Sequence, residues 1–334
     1  MEPDIQLWTV QIHLTSQCNF SCPYCGYARR KQFKIDLIPW KVKALLEDLK
    51  GMPVKGVVFH GGGEPFIWNG GMVVEYIREV GEWCQVAVYT NGSLIPKDLS
   101  WMDHCTYICV SWHYANPLTA RNIKRMVTYK SEHSLQCLVN VKVLLDKTNY
   151  TRIREIYGEV KTLDPDYILF RPVMDLESVG GIELTDAQMR ELTYLIHGSE
   201  IKNDERTNWQ ILTEPTNPVV GGMNPKAVSE CWCALRGTTA YVTADGNVYV
   251  CPTTIGDQKY RIGNINEQRL PAMWNSDLRV EVVSALTSGI CYRPNCKLRE
   301  YNRVLDKFHL LQQSKEEMNL PIKEEFGERV GGIL

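Results

Sequence analysis

Three cysteines, Cys18, Cys22 and Cys25, fall at C-x3-C-x2-C spacing directly after an apolar stretch, Leu7 to Leu14, that reads as a strand. Soft thiolates at such spacing select zinc, copper(I) or an iron–sulfur cluster. A structural zinc ion, or a cluster that only passes electrons, takes four closed ligands. No fourth cysteine is near, since the next, Cys84, belongs to another segment. Three thiolates on a four-iron cube leave one iron open to an exchangeable ligand. A zinc knuckle or a set of scattered core cysteines is the plainer alternative.

Other residues of chemical interest follow strand-like stretches. Gly62-Gly63-Glu64 comes just after Val57–His60. Glycine there permits positive φ and close approach of backbone to a ligand, and carboxylate and carbonyl oxygens are the acceptors a cationic amine needs. The G-x-G-x-x-G dinucleotide pattern is absent. Thr90-Asn91-Gly92, Ser111 and Arg171 end the third, fourth and sixth strand-like stretches, with Asn-Gly also a simple turn signal. His60, Trp112 and His113 share these ends, although a lone histidine is more often packed or hydrogen-bonded than catalytic. Five further cysteines, Cys231, Cys233, Cys251, Cys291 and Cys296, lie late in the chain. Cys233 and Cys251 bracket two strand-like pieces around Ala244-Asp245-Gly246-Asn247, a hairpin signal, and a four-cysteine zinc site would also use them. Cys84, Cys105, Cys109 and Cys137 sit in or beside apolar stretches and read as small core hydrophobes.

The elements that position these residues alternate. Strands are expected at Trp8–Leu14, Val57–His60, Val86–Tyr89, Tyr107–Val110, Cys137–Leu145 and Tyr167–Phe170. Helical patterns run from Pro39 to about Lys50 and across Met72–Glu82, Ala120–Lys130, Tyr150–Leu163 and Thr185–His197. Continuous apolar strands between helices build a parallel sheet covered by helices, either open and doubly wound or a partial (β/α)6 barrel of TIM type. In both, chemistry gathers at the C-terminal strand ends. The polar stretch from Ile201, with its prolines and glycines, reads as a linker, and Leu298–Glu317 as a helix.

The segment Cys18-Asn19-Phe20-Ser21-Cys22-Pro23-Tyr24-Cys25 resembles the C-x3-C-x-aromatic-C motif of the radical S-adenosylmethionine (SAM) superfamily, with Tyr24 at the aromatic place. The resemblance implies a [4Fe-4S] cluster on Cys18, Cys22 and Cys25. Its open iron is chelated by SAM, whose one-electron cleavage gives a 5′-deoxyadenosyl radical. It also makes Gly62-Gly63-Glu64 similar to the family's GGE motif, and it implies SAM contacts at Tyr24, Gly62, Gly63, Glu64, Asn91, Ser111 and Arg171. The spacing C-x12-G-x4-C over Cys233, Gly246 and Cys251, with Gly263-Asn264-Ile265 and Met273-Trp274, resembles the auxiliary-cluster domain called SPASM, or Twitch when shortened. Five cysteines imply one auxiliary [4Fe-4S] cluster on Cys233, Cys251, Cys291 and Cys296. Cys231 is left over, with Cys231 and Cys233 interchangeable by spacing.

The expected organisation is a radical SAM partial barrel over 5–200, a linker over 201–228, a Twitch/SPASM-like hairpin-plus-helix domain over 229–300 and a C-terminal helix and tail over 301–334. The expected reaction removes hydrogen from a C–H of a small polar metabolite and completes a dehydrogenation with help from the auxiliary cluster. The alternatives are a radical epimerase with Cys231 as hydrogen donor, a peptide-modifying or cross-linking enzyme, and a non-catalytic iron–sulfur or zinc scaffold. The short segment before the first strand favours a metabolite over a peptide. A reductase such as flavodoxin or ferredoxin is the expected electron source. Of the 334 residues 44% are hydrophobic and 23% charged, as in ordinary globular proteins. A formal net charge of -2 gives no electrostatic reason to expect nucleic acid or anionic membrane, and no apolar run approaches spanning length. Twelve cysteines beside a start, Met1-Glu2-Pro3-Asp4, without an export pattern point to metal or redox chemistry in the cytoplasm.

Overall fold

Apolar runs alternating with amphipathic helices pair here in chain order. In the computed structural model, which describes residues 7–25, 27, 34–60, 62–112, 116–173, 181–208 and 238–287, six strands lie parallel, each beside its predecessor. They are β1 (Thr9–His13), β2 (Gly56–His60), β3 (Gln85–Thr90), β4 (Tyr107–Trp112), β5 (Leu138–Leu145) and β6 (Tyr167–Pro172). The crossovers carry α1 (Pro39–Lys50), α2 (Val73–Gly81), α3 (Pro117–Glu132) and α4 (Ile153–Lys161), and α5 (Asp186–His197) follows β6. Local chemistry sets the helix starts. Asn116 accepts from the Leu118 and Thr119 N–H groups ahead of Pro117, and Thr185 with Gln188 closes a capping box on α5. Losing such a cap costs about 1 kcal/mol.

The two faces of the six strands differ in chemistry. Val10, Ile12, Val57, Phe59, Ile108 and Val141 are fully buried against helix residues such as Leu46, Ile77 and Ile123. Burying each side chain of this kind stabilises by about 1.5–3 kcal/mol. The alternate positions, among them His13, His60, Tyr89, Asn140, Lys142 and Arg171, point to the opposite, polar face. This is a partial TIM-type barrel with its helices outside and a polar interior.

The sheet does not stop at β1. Strand β7 (Thr239–Val242) adds parallel to the free edge of β1, and β8 (Asn247–Tyr249) and β9 (Arg261–Asn264) continue antiparallel, giving the order β6-β5-β4-β3-β2-β1-β7-β8-β9. Gly246 makes the hairpin turn at φ +84°, where a Cβ would sit 2.4 Å from the Asn266 amide nitrogen. The short helices α6 (Leu270–Trp274) and α7 (Asp277–Thr287) follow. Asp48 of α1 receives Arg269 Nε at 2.8 Å and the Leu270 N–H at 3.1 Å, which ties this segment to the barrel.

Within the expected linker, residues 201–208 pack onto the sheet edge. Ile201 is fully buried, and the Asn208 side chain exchanges two hydrogen bonds with the Phe170 backbone at 2.7 and 2.9 Å. The remainder of that linker and the expected helix Leu298–Glu317 lie outside the described residues. No described helix is long and apolar enough to cross a membrane.

Candidate active site

The cysteine trio sits on the loop leaving the C-terminal end of β1. Cys18, Cys22 and Cys25 are partly exposed and not in disulfides, and a turn closes between them through the Cys25 N–H and the Cys22 carbonyl at 3.2 Å. Two N–H donors face the Cys18 sulfur: the Phe20 backbone at 3.4 Å and Asn91 Nδ2 at 3.8 Å. Such donors stabilise a metal-bound thiolate. No three described His, Cys, Asp or Glu side chains converge on a single metal-ion position. The donor set, three thiolates on one loop, suits a cluster in which each thiolate holds its own iron. Tyr24 is largely buried, and burial together with the Cys22 thiol and Asp146 holds its phenol well above the ordinary range.

The glycine turn after β2 is pressed against this loop. Gly62 has φ +93°, and a Cβ on Gly63 would stand 1.8 Å from the Gln17 carbonyl oxygen, so only glycine fits. The Glu64 N–H donates to that same carbonyl at 2.8 Å. The Glu64 carboxylate is 1% exposed and accepts from the Thr90 hydroxyl at 2.7 Å, the Asn91 N–H at 2.7 Å and the Phe66 N–H at 3.3 Å. Burial pushes its pKa up to about 7 against the lowering effect of these donors. Glu64 thus joins the ends of β2 and β3, and its oxygens are directed into the protein. Asn91 extends the bridge to the cysteine loop through Asn19, while Thr119 and Asn122 of α3 hold the carbonyls of Asn91 and Gly92.

Inside the barrel, Tyr89 is a centre of contact. Its ring lies 4.8 Å from His60 and its hydroxyl 3.1 Å from that of Tyr107. Lys142 Nζ stands 5.1 Å from the Tyr89 ring centroid. Arg171 interacts with Tyr89 and Cys109, and burial lowers its pKa. Ser111 lies opposite Lys142 in the register. Cys109, read from the sequence as core, is buried but belongs to this inner face and not to the packing between sheet and helices. Sequence reasoning passed over Lys142, Tyr89 and His13. Strict alternation in Leu138-Val139-Asn140-Val141-Lys142-Val143 was the available signal, because period two puts both polar residues on one face.

Of the second cysteine group only Cys251 is described. It is 8% exposed, just beyond β8, with its sulfur 3.1 Å from the Thr253 hydroxyl. Cys231, Cys233, Cys291 and Cys296 lie outside the described residues, as does His113. A surface cavity of about 600 Å3 lined by Trp83, Cys84, His104 and Cys105 opens at the N-terminal strand ends, away from the cysteine loop.

Residues 12–164 match the model of the radical SAM superfamily, and residues 231–297 match SPASM, an iron–sulfur cluster-binding domain. The chain is 22% identical over 276 residues, 80% of its length and 82% of the relative's, to an S-adenosyl-L-methionine-dependent 2-deoxy-scyllo-inosamine dehydrogenase of Niallia circulans. It shares its fold with anSMEcpe with bound AdoMet (TM-score 0.61, 17% identity, covering 87% of this chain and 84% of that one). Another match is Streptococcus suis SuiB bound to precursor peptide SuiA (TM-score 0.61, 14% identity, 86% and 67% covered). The chain belongs to the radical SAM superfamily and carries a C-terminal SPASM domain. It is accordingly an enzyme whose cofactors are SAM and two iron–sulfur clusters.

Proposed function

We propose that this enzyme dehydrogenates a small polar metabolite held inside the barrel. One hydrogen atom leaves an unactivated C–H, and a further electron and proton follow to complete a two-electron oxidation. When bound, SAM and its cluster supply the hydrogen-atom abstraction, and the auxiliary cluster supplies a one-electron acceptor. Cys18, Cys22 and Cys25 hold the first cluster. Tyr24, the Gly62 and Gly63 backbone, Ser111 and Arg171 position SAM, and Asn91 with Glu64 fixes the turn against the cysteine loop. Cys233, Cys251, Cys291 and Cys296 hold the auxiliary cluster. Electrons enter from a small reductase of flavodoxin or ferredoxin type, at the exposed loop positions Asn19, Ser21 and Pro23.

The observation that carries this reading is the polar inner face, where His60, Tyr89, Lys142 and Arg171 replace the apolar side chains of the outer face. Similarity to a SAM-dependent dehydrogenase over most of the chain supports it. Anaerobic reconstitution should load iron to about eight per chain, the content of two four-iron clusters. Dithionite and SAM should then release 5′-deoxyadenosine, and the substrate should emerge two mass units lighter. Zinc in place of iron, or no SAM cleavage after reduction, would remove the basis of the proposal.

A second reading, epimerisation, draws on Cys109. Its thiol shares the inner face with Tyr89. It could return a hydrogen atom to the substrate carbon, the resulting sulfur radical being re-reduced by an electron and a proton from the reductase. Turnover in D2O separates the two: a product one mass unit heavier than the substrate, with the label lost in Cys109→Ala, marks epimerisation.

A further inference from the structure

We infer that the electron donor docks on a face built by Lys34, Ile38, Trp40 and Lys43, and that this donor is an acidic flavoprotein of flavodoxin type. The inference rests on the proposed entry of electrons at the cysteine loop and adds the surface and chemistry that recognise their carrier. Ile38 is 45% exposed and Trp40 62% exposed, two residues apart where the chain enters α1. Single apolar side chains at a surface are ordinary. An indole beside an isoleucine, flanked by lysines, has instead the make-up of an interface centre, where tryptophan is enriched.

The backbone ties this face to the cysteine loop. The Ser16 N–H donates to the Ile35 carbonyl at 2.8 Å and the Leu37 N–H to the Leu14 carbonyl at 2.9 Å, and Thr15 bridges antiparallel to Asp36. Residues 35–37 thus lie along the stem of the loop that carries Cys18. Leu37 and Ile38 then lead into the first turn of α1, at the same end of the barrel. The indole is also held in place. Lys41 Nζ stands 4.5 Å from the Trp40 ring centroid and donates to the Asn266 carbonyl, beyond β9, at 2.7 Å. Trp40 is therefore presented at the seam between the barrel and the C-terminal segment. An aromatic side chain fixed before binding loses little freedom on binding.

Charge selects the partner. Between residues 29 and 43 the sequence holds six lysines and arginines against one acid, Asp36, in a chain whose net charge is -2. Both Asp36 oxygens are engaged, Oδ1 by the Thr15 hydroxyl and Oδ2 by Gln17. Lys34 and Lys43 are exposed on either side of the apolar pair in sequence. A local excess of this kind attracts an acidic carrier and steers its approach. A flavodoxin-type carrier sets acidic residues around the apolar dimethylbenzene edge of its flavin, an edge that an exposed indole can cover. One electron passes from its anionic flavin hydroquinone to the cluster held by Cys18, Cys22 and Cys25. The neutral semiquinone remains, and no proton moves.

The test is a calorimetric titration of the reconstituted, SAM-saturated holoenzyme with oxidised flavodoxin, without reductant. Saturable binding is expected. It should weaken at least tenfold in Trp40→Ala and in Lys34→Glu combined with Lys43→Glu. It should be unchanged in Tyr194→Ala, which removes another exposed aromatic from α5. Added salt should weaken wild type more than the charge-reversed variant. Release of 5′-deoxyadenosine is then measured with two electron sources. With dithionite, which needs no docking surface, the variants should match wild type in rate and iron content. With reduced flavodoxin, their half-saturating concentration should rise by the same factor as the binding constant. Wild type that binds no flavodoxin, or variants that bind it unchanged, would overturn the inference, as would equal losses with dithionite and flavodoxin. If Trp40→Ala turns a wild-type dimer into a monomer and leaves flavodoxin binding intact, the face serves a second copy of the chain and the inference fails. Absence of 5′-deoxyadenosine from wild type with dithionite would overturn the enzymatic reading, while the binding titration still decides the docking surface.

Discussion

The side-chain nitrogen of Asn91 donates both to Asn19 Oδ1, at 2.9 Å, and to the Cys18 sulfur, at 3.8 Å. Through Asn91 the end of β3 therefore reaches a cluster ligand on the loop after β1. Hydrogen bonds to cluster sulfurs raise the reduction potential, because they favour the more negative reduced state. Replacing Asn91 by Ala should make the midpoint potential of the first cluster more negative, read by EPR-monitored titration. The same change leaves the buried Ser93 N–H and hydroxyl without their Asn91 acceptor, a cost of about 1–3 kcal/mol, measurable by denaturant titration.

Gly63 is the tightest contact between the two loops. Gly63→Ala would place a methyl group on the Gln17 carbonyl and should destabilise by at least about 3 kcal/mol, the upper range for overpacking. It should also lower iron loading. Gly70 also has positive φ, +72°, but nothing lies within 4 Å of its would-be Cβ. Gly70→Ala should cost only about 1 kcal/mol, from backbone strain alone. Equal costs for the two variants would show that the close approach to Gln17 does not govern Gly63.

Glu64 should make folding stability depend on pH. Its pKa rises from 4.5 to about 7 in the folded protein. Between these values the native state keeps a proton that the unfolded chain has lost, so stability falls as pH rises. The full effect is on the order of 3 kcal/mol. Urea titrations at pH 4.5 and 7 measure it, and Glu64→Gln should flatten the dependence. An unchanged slope in that variant would place the titrating group elsewhere.

Asp48 holds the C-terminal segment on α1. Its side chain is 9% exposed, whereas Arg269 is 58% exposed. Asp48→Ala leaves both the Arg269 guanidinium and the Leu270 N–H without their acceptor and should cost about 1–3 kcal/mol. Arg269→Ala removes only an exposed partner and should cost under about 1 kcal/mol. Limited proteolysis should cut the segment following β9 faster in the first variant than in the second.

The parallel strands were legible because each is a short apolar run bounded by a helix with its own punctuation. Pro39 and Lys50 bound α1 in sequence and structure alike, whereas other element ends shifted, as with β4, which extends through Ser111 to Trp112, and α3, which starts at Pro117 behind its Asn116 cap and not at Ala120. The hairpin around Gly246 was legible for the same reason. Its attachment to β1 was not, since nothing local in Thr239–Val242 says which edge it will find. The segment 201–208 looked like linker because it is polar, yet Asn208 pairs with backbone that no sequence pattern announces. Strand β9 and helix α6 are too short to leave a periodic signal, and α7, although eleven residues long, spreads Leu278, Val280, Val282 and Val283 around its circumference without a single apolar stripe. At the site, residue types and spacing marked the cysteine trio and Gly62-Gly63-Glu64. The inward aim of the Glu64 oxygens and the gathering of Lys142 and Arg171 around Tyr89 depend on strand register, which the linear order does not display.

Because β1 is bonded to β2 along one side and to β7 along the other, the strand that delivers the cysteine loop has no bare flank. A polypeptide cut short ahead of Thr239 would uncover that flank and invite self-association, as unprotected edges do. The barrel half is thus not expected to survive as an autonomous, soluble miniature. The loop that generates radicals and the hairpin that leads to Cys251 are welded to a common spine.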